Sequence, residues 1–357
     1  MLKILFLSTS VGSLGSGQGG GVELTVQNVA QELSQRGHQI EVVAPESSRL
    51  KGIKVITIPG NLQVPVQTQS RDVPICLPDN AVLANMWEYA RKVRHQYDLL
   101  VNFAFDWLPF YLTPFFDTTI AHFISMGSMT TACDRMMTQI IDRYPGTFGV
   151  YTKAQADTFP FGDRCEILSS AIDLGLYDFN NAPESYIAWL GRIAPEKALE
   201  DAVAAVNVTK TPLKIFGKIQ NEDYWQQICR DFPDAPIEYR GFLGTKELQQ
   251  ELGKCRALLM TPRWIEAFGN VAIEALACGV PIIAYRRGGP GEIVRDGKTG
   301  FLVEPDSIDG LIEAIGKIDL INRFTCRQQA EAEYSLSALG DRFEAWFKKL
   351  IEDNNGQ

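Results

Sequence analysis

The sequence predicts an α/β protein built from two doubly wound parallel-sheet domains. Short apolar runs typical of buried strands alternate with segments of helical periodicity along most of the chain, which is the pattern of parallel sheets. This pattern lapses between residues 169 and 185 and then begins again. The 357 residues are also enough to bury two separate cores. We therefore expect two sheets with a linker between them.

Six strands are predicted in each domain. Those of the first are Leu2–Leu7, Gln39–Ala44, Ile53–Ile58, Leu99–Phe103, Thr118–Phe123 and Thr147–Tyr151. Those of the second are Tyr186–Gly191, Leu213–Phe216, Ile237–Arg240, Ala257–Met260, Pro281–Tyr285 and Phe301–Val303. The domains are accordingly residues 1–170 and 186–334, with a linker at 171–185. A final helix, 335–357, has an apolar face, and its periodicity leaves open which domain it packs on.

The composition excludes several classes of function. A net charge of −9 argues against a nucleic-acid partner and against association with anionic membranes, and the first domain has no basic excess. Seven scattered cysteines without a CxxC pair indicate reduced thiols in a cytoplasmic protein. No apolar run approaches the roughly 18 residues of a transmembrane helix, and the apolar N-terminus is typical of a buried strand rather than a signal peptide.

Metal and cofactor motifs are missing from the sequence. The three histidines lack metal-ligand spacing, and no DxD motif is present to hold a metal against a diphosphate. We therefore expect neither a metal nor a cofactor.

The segment 256–285 carries two glutamates around a predicted helix start. Glu266 precedes the helix and Glu274 lies within it, and the backbone N–H groups of Phe268, Gly269 and Asn270 would form an anion site between them. A rise of about 1.5 Å per residue places the carboxylates on the order of 12 Å apart. Carboxylates accept hydrogen bonds from hydroxyl groups, so the arrangement suits a ligand with a diphosphate between two sugars.

Two cationic side chains follow the first strand of the second domain. Arg192 comes directly after that strand, and Lys197 falls in the turn that Pro195 begins. A guanidinium and an ammonium group beside a helix start are suited to binding a diphosphate. Because glycines and charged groups follow the carboxyl ends of strands in both domains, we expect a ligand cleft between two facing sheets.

The first domain offers a glycine-rich loop and a histidine. Six glycines lie between positions 12 and 21, and Gly20, Gly21 and Glu23 stand at the start of the first helix, where an anion could bind. His122 is predicted near the end of a strand, before a polar turn. A lone histidine at such a place is either structural or functional.

These motifs resemble those of the retaining glycosyltransferases of family 4. Glu266 and Glu274 match the E-x7-E signature of that family, Arg192 and Lys197 its phosphate-binding pair, and Gly20–Glu23 its GG-x-E opening. Ala267 departs from the pattern, since glycine usually follows the first glutamate.

The resemblance implies a GT-B fold, meaning two Rossmann-like domains facing across a cleft, with the C-terminal helix packed back on the first domain. It also implies a UDP-sugar donor, such as UDP-glucose, bound by Gly20, Gly21, Arg192, Lys197, Glu266, Phe268, Gly269, Asn270 and Glu274. In that family a histidine at the position of His122 lies near the reacting carbon. The implied catalytic group is Arg192, Lys197, Glu266 and His122.

The acceptor is expected to bind to the first domain. Phe103, Phe105 and Trp107 follow a strand and could stack on a planar ring, while Asp106 could accept its N–H groups and Glu23 lies in the opening loop. Core packing explains these aromatic residues equally well. Within family 4 the opening of the chain resembles the UDP-glucose:tetrahydrobiopterin glucosyltransferases, which implies a pterin acceptor.

Other acceptors and other functions remain open. The acceptor could instead be a small sugar or a glycolipid precursor. Outside the glycosyltransferases, the alternatives are a sugar-nucleotide epimerase, a phosphorylase and a non-catalytic nucleotide-sugar sensor. The intact set of Arg192, Lys197 and Glu266 argues against a sensor.

Overall fold

A computed structural model describes residues 1–16 and 20–355 of the chain. The chain divides into two units. Unit 1 consists of Met1–Ser170 together with Leu336–Gln357, and unit 2 consists of Ala171–Ser335. Each unit is built around one sheet.

The strands of unit 1 are β1 (Lys3–Leu7), β2 (Gln39–Pro45), β3 (Lys54–Ile58), β4 (Leu99–Asn102), β5 (Ile120–Ile124), β6 (Phe148–Val150) and β7 (Glu166–Ile167). Those of unit 2 are β8 (Ile187–Leu190), β9 (Leu213–Phe216), β10 (Ile237–Gly241), β11 (Leu258–Met260), β12 (Ile282–Tyr285) and β13 (Gly300–Val303).

The helices begin in unit 1 with α1 (Gly21–Gln35), α2 (Val82–Val93), α3 (Trp107–Leu112), α4 (Thr131–Arg143) and α5 (Lys153–Ala156). Unit 2 contains α6 (Leu199–Thr209), α7 (Glu222–Asp231), α8 (Thr245–Lys254), α9 (Asn270–Ala277), α10 (Gly288–Ile293), α11 (Ile308–Lys317) and α12 (Arg323–Glu333). The chain then returns to unit 1 with α13 (Leu336–Asn355).

Both sheets are parallel and share one topology. Unit 1 has the strand order β3-β2-β1-β4-β5-β6-β7, and unit 2 has the order β10-β9-β8-β11-β12-β13. Every strand pairing is parallel, with β1 registered between β2 and β4 from Ile4 to Leu7. These four residues are fully buried, as expected for a strand covered by helices on both faces. The predicted fold class is confirmed.

The strand bounds follow the apolar runs of the sequence closely. Each predicted strand is present, with its ends within two residues of the prediction. The two-residue strand β7 was not predicted, because it is too short to show periodicity and Ile167 is exposed. The helix expected from Phe268 begins at Asn270, because Gly269 adopts a left-handed conformation with φ 98°.

The C-terminal helix α13 packs on unit 1. The indole of Trp346 donates a hydrogen bond to the carbonyl of Gly146, and the ring of Phe343 lies 5.4 Å from that of Phe123. At the edge of this contact, the Arg36 guanidinium pairs with Asp341 at 2.7 Å. Apolar burial and an ion pair therefore both hold the helix in place.

The segment 171–185 packs on unit 2, where a buried arginine of α12 secures it. The Arg323 guanidinium donates to the carbonyls of Asn180 at 2.7 Å, Cys255 at 2.9 Å and Gly253 at 2.6 Å. A buried cation is tolerated when its donors are paired, as they are here. This side chain therefore fixes the segment against the end of α8.

No helix within residues 1–16 and 20–355 combines the length and the apolar character needed to cross a bilayer.

Candidate active site

The candidate site of unit 2 lies where the order of its strands reverses. The neighbours β8 and β11 are parallel, and the chain turns to opposite sides of the sheet after them. Loops leaving such a pair diverge and open a crevice beyond their carboxyl ends, where open α/β sheets bind ligands. Residues 191–198 follow β8, and residues 261–269 follow β11.

A pocket with a cavity volume of about 130 Å³ occupies this crevice. It brings together five residues that the sequence predicts as donor-binding, namely Arg192, Lys197, Glu266, Gly269 and Asn270. The rest of its lining comes from the strand ends and the loop after β11: Trp189, Leu190, Gly191, Leu259, Met260, Thr261, Pro262 and Val271. The other predicted donor residues of unit 2, Phe268 and Glu274, do not line it.

The two cations of the pocket come from a short turn after β8. Residues Pro195–Lys197 form one turn of 3₁₀ helix, and Ala198 then adopts a left-handed conformation with φ 45° before α6 begins. Such a conformation is uncommon for alanine and persists only where its surroundings fix it. The turn places Lys197 at the pocket, while Arg192 contacts Glu196 at 3.0 Å and donates to Gln220.

Thr261 and Arg263 tie the loop after β11 to that turn. The Thr261 hydroxyl lies 2.8 Å from the carbonyl oxygen of Ala198 and 3.1 Å from that of Lys197. The Arg263 guanidinium binds the carboxylate of Asp201 at 2.8 Å on α6. These contacts hold the two loops in one arrangement.

Glu266 is held by two side chains at one carboxylate oxygen. Its Oε2 atom accepts a hydrogen bond from the Lys197 ammonium and a second, at 3.1 Å, from the Trp264 indole. The Lys197 ammonium also lies 5.1 Å from the centre of the Trp264 ring, within the range of a cation–π contact. The three side chains therefore form a closed cluster.

Two glycines of α10 allow the backbone of the Glu266 loop to pack closely. A Cβ atom on Gly288 would lie 2.6 Å from the backbone nitrogen of Glu266, and one on Gly289 would lie 2.0 Å from the carbonyl oxygen of Phe268. Because neither glycine carries a Cβ atom, the Gly289 N–H can approach and donate a hydrogen bond to the Glu266 carbonyl at 2.7 Å. Only glycine fits at these two positions.

The start of α9 faces the pocket without a side-chain cap. Gly269 precedes it as the N-cap residue and makes no side-chain capping hydrogen bond. Asn270, the first residue of the helix, lines the pocket, and its Oδ1 atom is buried with no hydrogen-bond partner in the described structure. Uncapped N–H groups and the helix dipole make this end attractive to an anion. The Phe268 side chain instead packs against the ring of Tyr334 in the core.

Glu274 lies one turn further along α9. Burial raises the pKa of its carboxyl group to about 7, and a hydrogen bond of 3.1 Å from the Tyr177 hydroxyl opposes that rise. A carboxyl group that titrates near neutrality can exchange hydrogen bonds with hydroxyl groups in either protonation state.

The opening loop of unit 1 is described only in part, because residues 17–19 lie outside the described residues. Gly20 precedes α1 and Gly21 begins it, again without a side-chain cap. The Glu23 carboxylate is buried and accepts a hydrogen bond of 3.1 Å from the Gly15 N–H, so it braces its own loop.

His122 lies at the centre of β5 rather than near a strand end, which corrects the expectation from sequence. It is fully buried, with its ring nitrogens 3.2 Å from the Asn102 amide and 2.9 Å from the Thr113 hydroxyl. Its ring stacks on Phe148 at 5.0 Å, and burial lowers its pKa to about 3. In this structure the imidazole is neutral and enclosed by these side chains.

The aromatic residues after β4 divide into core and surface. Phe103 is buried against Phe6 and Phe123, with ring centres 5.1 and 5.8 Å away, and Phe105 is also buried. Trp107 is partly exposed.

Asp106 and Trp107 lie at the start of α3. The Asp106 carboxylate caps α3 through the Leu108 N–H at 3.1 Å and accepts a hydrogen bond from Gln63. Burial raises its pKa. Trp107 stacks on Tyr111 at 4.6 Å.

Sequence reasoning did not identify Thr261, Arg263 and Trp264 as parts of the site. Each acts on a residue far away in the chain, so no spacing pattern reveals it. The only signal was an aromatic residue two positions before Glu266. Within the described part of the chain, no group of three or more His, Cys, Asp and Glu side chains is arranged to hold a metal ion.

Comparison with protein families finds two matches. Residues 19–122 match the model described as Glycosyltransferase Family 4, and residues 179–332 match the model described as Glycosyl transferases group 1.

Curated relatives include an uncharacterized glycosyltransferase of Methanocaldococcus jannaschii, 31% identical over 42% of this chain and 42% of its own length. A D-inositol 3-phosphate glycosyltransferase of Nocardia farcinica is 26% identical over 93% of this chain and 85% of its own length. The alignment thus spans less than half of the first relative.

Solved structures share the whole fold at low identity. The Anabaena protein HepE in complex with UDP superposes with a TM-score of 0.77 at 17% identity, covering 98% of this chain and 100% of its own. Sucrose-phosphate synthase from Thermosynechococcus elongatus superposes with a TM-score of 0.77 at 18% identity, covering 99% of this chain and 100% of its own. Two stretches of this chain therefore match glycosyltransferase family models, and the chain shares its fold with these solved structures.

Proposed function

We propose that the protein is a retaining glycosyltransferase that transfers a hexose, glucose from UDP-glucose, to a small acceptor. The observation that carries the proposal is the pocket of unit 2, in which Arg192, Lys197 and Glu266 meet the uncapped start of α9. The pocket combines two cations and a helix N-terminus with a carboxylate. These groups match the diphosphate and the hydroxyl groups of one ligand. The UDP, UDP and glucose, and UDP-glucose complexes of Anabaena HepE support this choice of donor.

The cations act on the leaving group. When the bond between the anomeric carbon and the diphosphate oxygen breaks, negative charge develops on the departing UDP. Arg192 and Lys197 stabilise that charge, and the dipole of α9 adds partial positive charge from its first N–H groups. Because these groups are fixed before the reaction, little reorganisation is needed in the transition state.

The two glutamates position the donor. Glu266 accepts hydrogen bonds from hexose hydroxyl groups, because its Oε1 atom carries no hydrogen bond within the described residues. Glu274 accepts hydrogen bonds from the ribose hydroxyl groups. Its hydrogen bond from Tyr177 fixes the orientation of the carboxyl group.

Retention follows from attack on the face that the leaving group vacates. The acceptor oxygen forms a bond to the anomeric carbon as the bond to UDP breaks, and the acceptor proton passes to the departing phosphate oxygen. No side-chain base is needed for this step, which agrees with the enclosed position of His122.

The acceptor is a pterin side-chain hydroxyl in this proposal. Asp106 accepts hydrogen bonds from ring N–H groups, and the exposed part of Trp107 provides an apolar face for a planar ring. A small sugar or a glycolipid precursor is the alternative acceptor, and no separate observation in the structure favours either of them.

The test is release of UDP from UDP-glucose with and without an acceptor. We expect release that depends on the acceptor and a product with an α linkage, measured by proton coupling at the anomeric carbon. Release of UDP without any acceptor indicates hydrolysis of UDP-glucose. Interconversion of the hexose without release of UDP indicates an epimerase. Binding of UDP-glucose without turnover indicates a sensor. A β-glycoside product would exclude the retaining reaction.

A panel of acceptors then tests the pterin. Purified protein is incubated with UDP-glucose and reduced or oxidised pterins, free sugars, or glycolipid precursors. Transfer to a pterin that falls sharply in Trp107→Ala, while Tyr224→Phe in unit 2 retains it, supports the assignment. Clear transfer to a sugar or lipid and none to any pterin removes it.

A further inference from the structure

The cluster of Lys197, Trp264 and Glu266 pairs the cation of the proposed phosphate site with the carboxylate of the proposed hexose site. The Lys197 ammonium donates to Glu266 Oε2, and both side chains are mostly enclosed, with exposed fractions of 19% and 17%. Partly enclosed charges interact more strongly than charges in open solvent. In this structure Glu266 therefore compensates the charge of Lys197.

The pairing has different consequences for donor and product. A bare nucleoside diphosphate has to draw Lys197 away from Glu266 and leaves that carboxylate without its cation, which is unfavourable for a partly buried charge. A nucleoside-diphosphate sugar offers phosphate to Lys197 and hydroxyl groups to Glu266 together. Only the ligand with a sugar replaces what both side chains lose.

Trp264 holds this pair in place. Its indole N–H donates to the same Oε2 atom at 3.1 Å, and its ring lies beneath the ammonium at 5.1 Å. Both contacts keep Oε2 turned towards Lys197 and leave Oε1 for a hexose hydroxyl.

We propose that Trp264 is a positioning residue that latches Lys197 to Glu266, so that the pocket favours a nucleoside-diphosphate sugar over the bare nucleoside diphosphate. The inference rests on the proposed function and extends it to product release. Once the hexose has left, Glu266 recaptures Lys197 and weakens the binding of the diphosphate product.

The test measures dissociation constants of UDP and UDP-glucose by calorimetry for the wild type and two variants. Glu266→Gln removes the charge that competes for Lys197, and Trp264→Phe keeps the ring but removes the indole N–H. We expect both variants to bind UDP more tightly than the wild type, by about threefold or more in Glu266→Gln, the scale of a partly enclosed ion pair. Both should bind UDP-glucose less tightly. Damage to the fold would instead weaken both ligands together.

Two controls isolate the latch. Trp225→Phe, whose ring packs on Tyr239 in the same unit, should leave both constants unchanged. In a Lys197→Met background, Glu266→Gln should no longer tighten UDP binding, because the effect requires both charges.

The outcomes separate this inference from the proposed function. A wild type that binds neither UDP nor UDP-glucose overturns both. A wild type that transfers glucose, with UDP binding equal or weaker in Glu266→Gln, overturns the latch alone. Tighter UDP binding in Glu266→Gln but not in Trp264→Phe removes the role of Trp264.

Discussion

The raised pKa of Glu274 predicts that its ionised carboxylate lowers the free energy of unfolding of the protein. Its carboxyl group has an ordinary pKa of 4.5 and a pKa of about 7 in the folded protein. The folded state therefore binds the proton more tightly than the unfolded state does. As the pH rises from about 4.5 to about 7, the free energy of unfolding falls, and above about 7 the full loss is present.

The magnitude follows from the two pKa values. At about 1.4 kcal/mol for each pKa unit, the difference between 4.5 and about 7 corresponds to about 3 kcal/mol. Because the side chain keeps some contact with solvent, we expect Glu274→Gln to raise the free energy of unfolding by about 1 to 3 kcal/mol at pH 8. The amide oxygen can still accept the hydrogen bond from Tyr177, so little else changes.

Calorimetric unfolding of the wild type and Glu274→Gln at pH 5 and pH 8, without nucleotide, measures this difference in stability. We expect a higher melting temperature for the variant at pH 8, by about 2 to 4 °C per kcal/mol, and a much smaller difference at pH 5. A variant that melts at or below the wild type at pH 8 would refute the reasoning. Glu251→Gln is the matched control, because the Lys214 ammonium lowers the pKa of Glu251. Replacing the ionised Glu251 carboxylate by an amide should destabilise the protein at pH 8.

The same substitution should weaken the donor site. The ionised carboxylate is the stronger acceptor for ribose hydroxyl groups. We therefore expect a higher KM for UDP-glucose in Glu274→Gln at pH 8, and a KM of the wild type that rises as the pH falls below about 7. A variant with an unchanged KM at pH 8 would remove Glu274 from the ribose site.

Three further predictions concern the cations, metals and the core. The double variant Arg192→Ala/Lys197→Ala should fold and lose most turnover, since two charge-assisted contacts to a leaving group contribute about 3 kcal/mol or more. A double variant that keeps more than half of the wild-type rate would contradict the assignment of these two residues. Turnover should survive excess EDTA, and a loss restored by magnesium or manganese would show a metal requirement. Arg323→Met should lower the free energy of unfolding by about 3 kcal/mol in chemical denaturation, because three carbonyls, one part-buried and two buried, lose their donor. The exposed Arg295→Met should cost far less.

The strands could be predicted from sequence because burial on both faces leaves a local record. A strand such as β1 must be apolar at its buried positions, here Ile4 to Leu7, whatever its neighbours are. The motif residues of unit 2 could also be found, because each group needs a particular residue type at a fixed distance from a strand end or helix start.

The surroundings of single side chains could not be predicted in the same way. His122 and Phe103 occur next to polar and aromatic residues that suit a binding site as well as a core. Their burial depends on Thr113, Asn102, Phe6 and other residues that the sheet brings beside them. Local sequence contains the chemistry of a residue but not the identity of its neighbours.

The sequence by itself determined the two parallel sheets, the residue types of the candidate site in unit 2 and their order along the chain. Only the tertiary structure decided that Lys197, Trp264 and Glu266 form one cluster, because 69 residues separate the lysine from the glutamate that it binds. Those residues meet where β8 and β11 lie side by side, and that pairing depends on the packing of the whole sheet. A contact fixed by strand order leaves no spacing pattern in the chain, so its physical consequences become visible only in the fold.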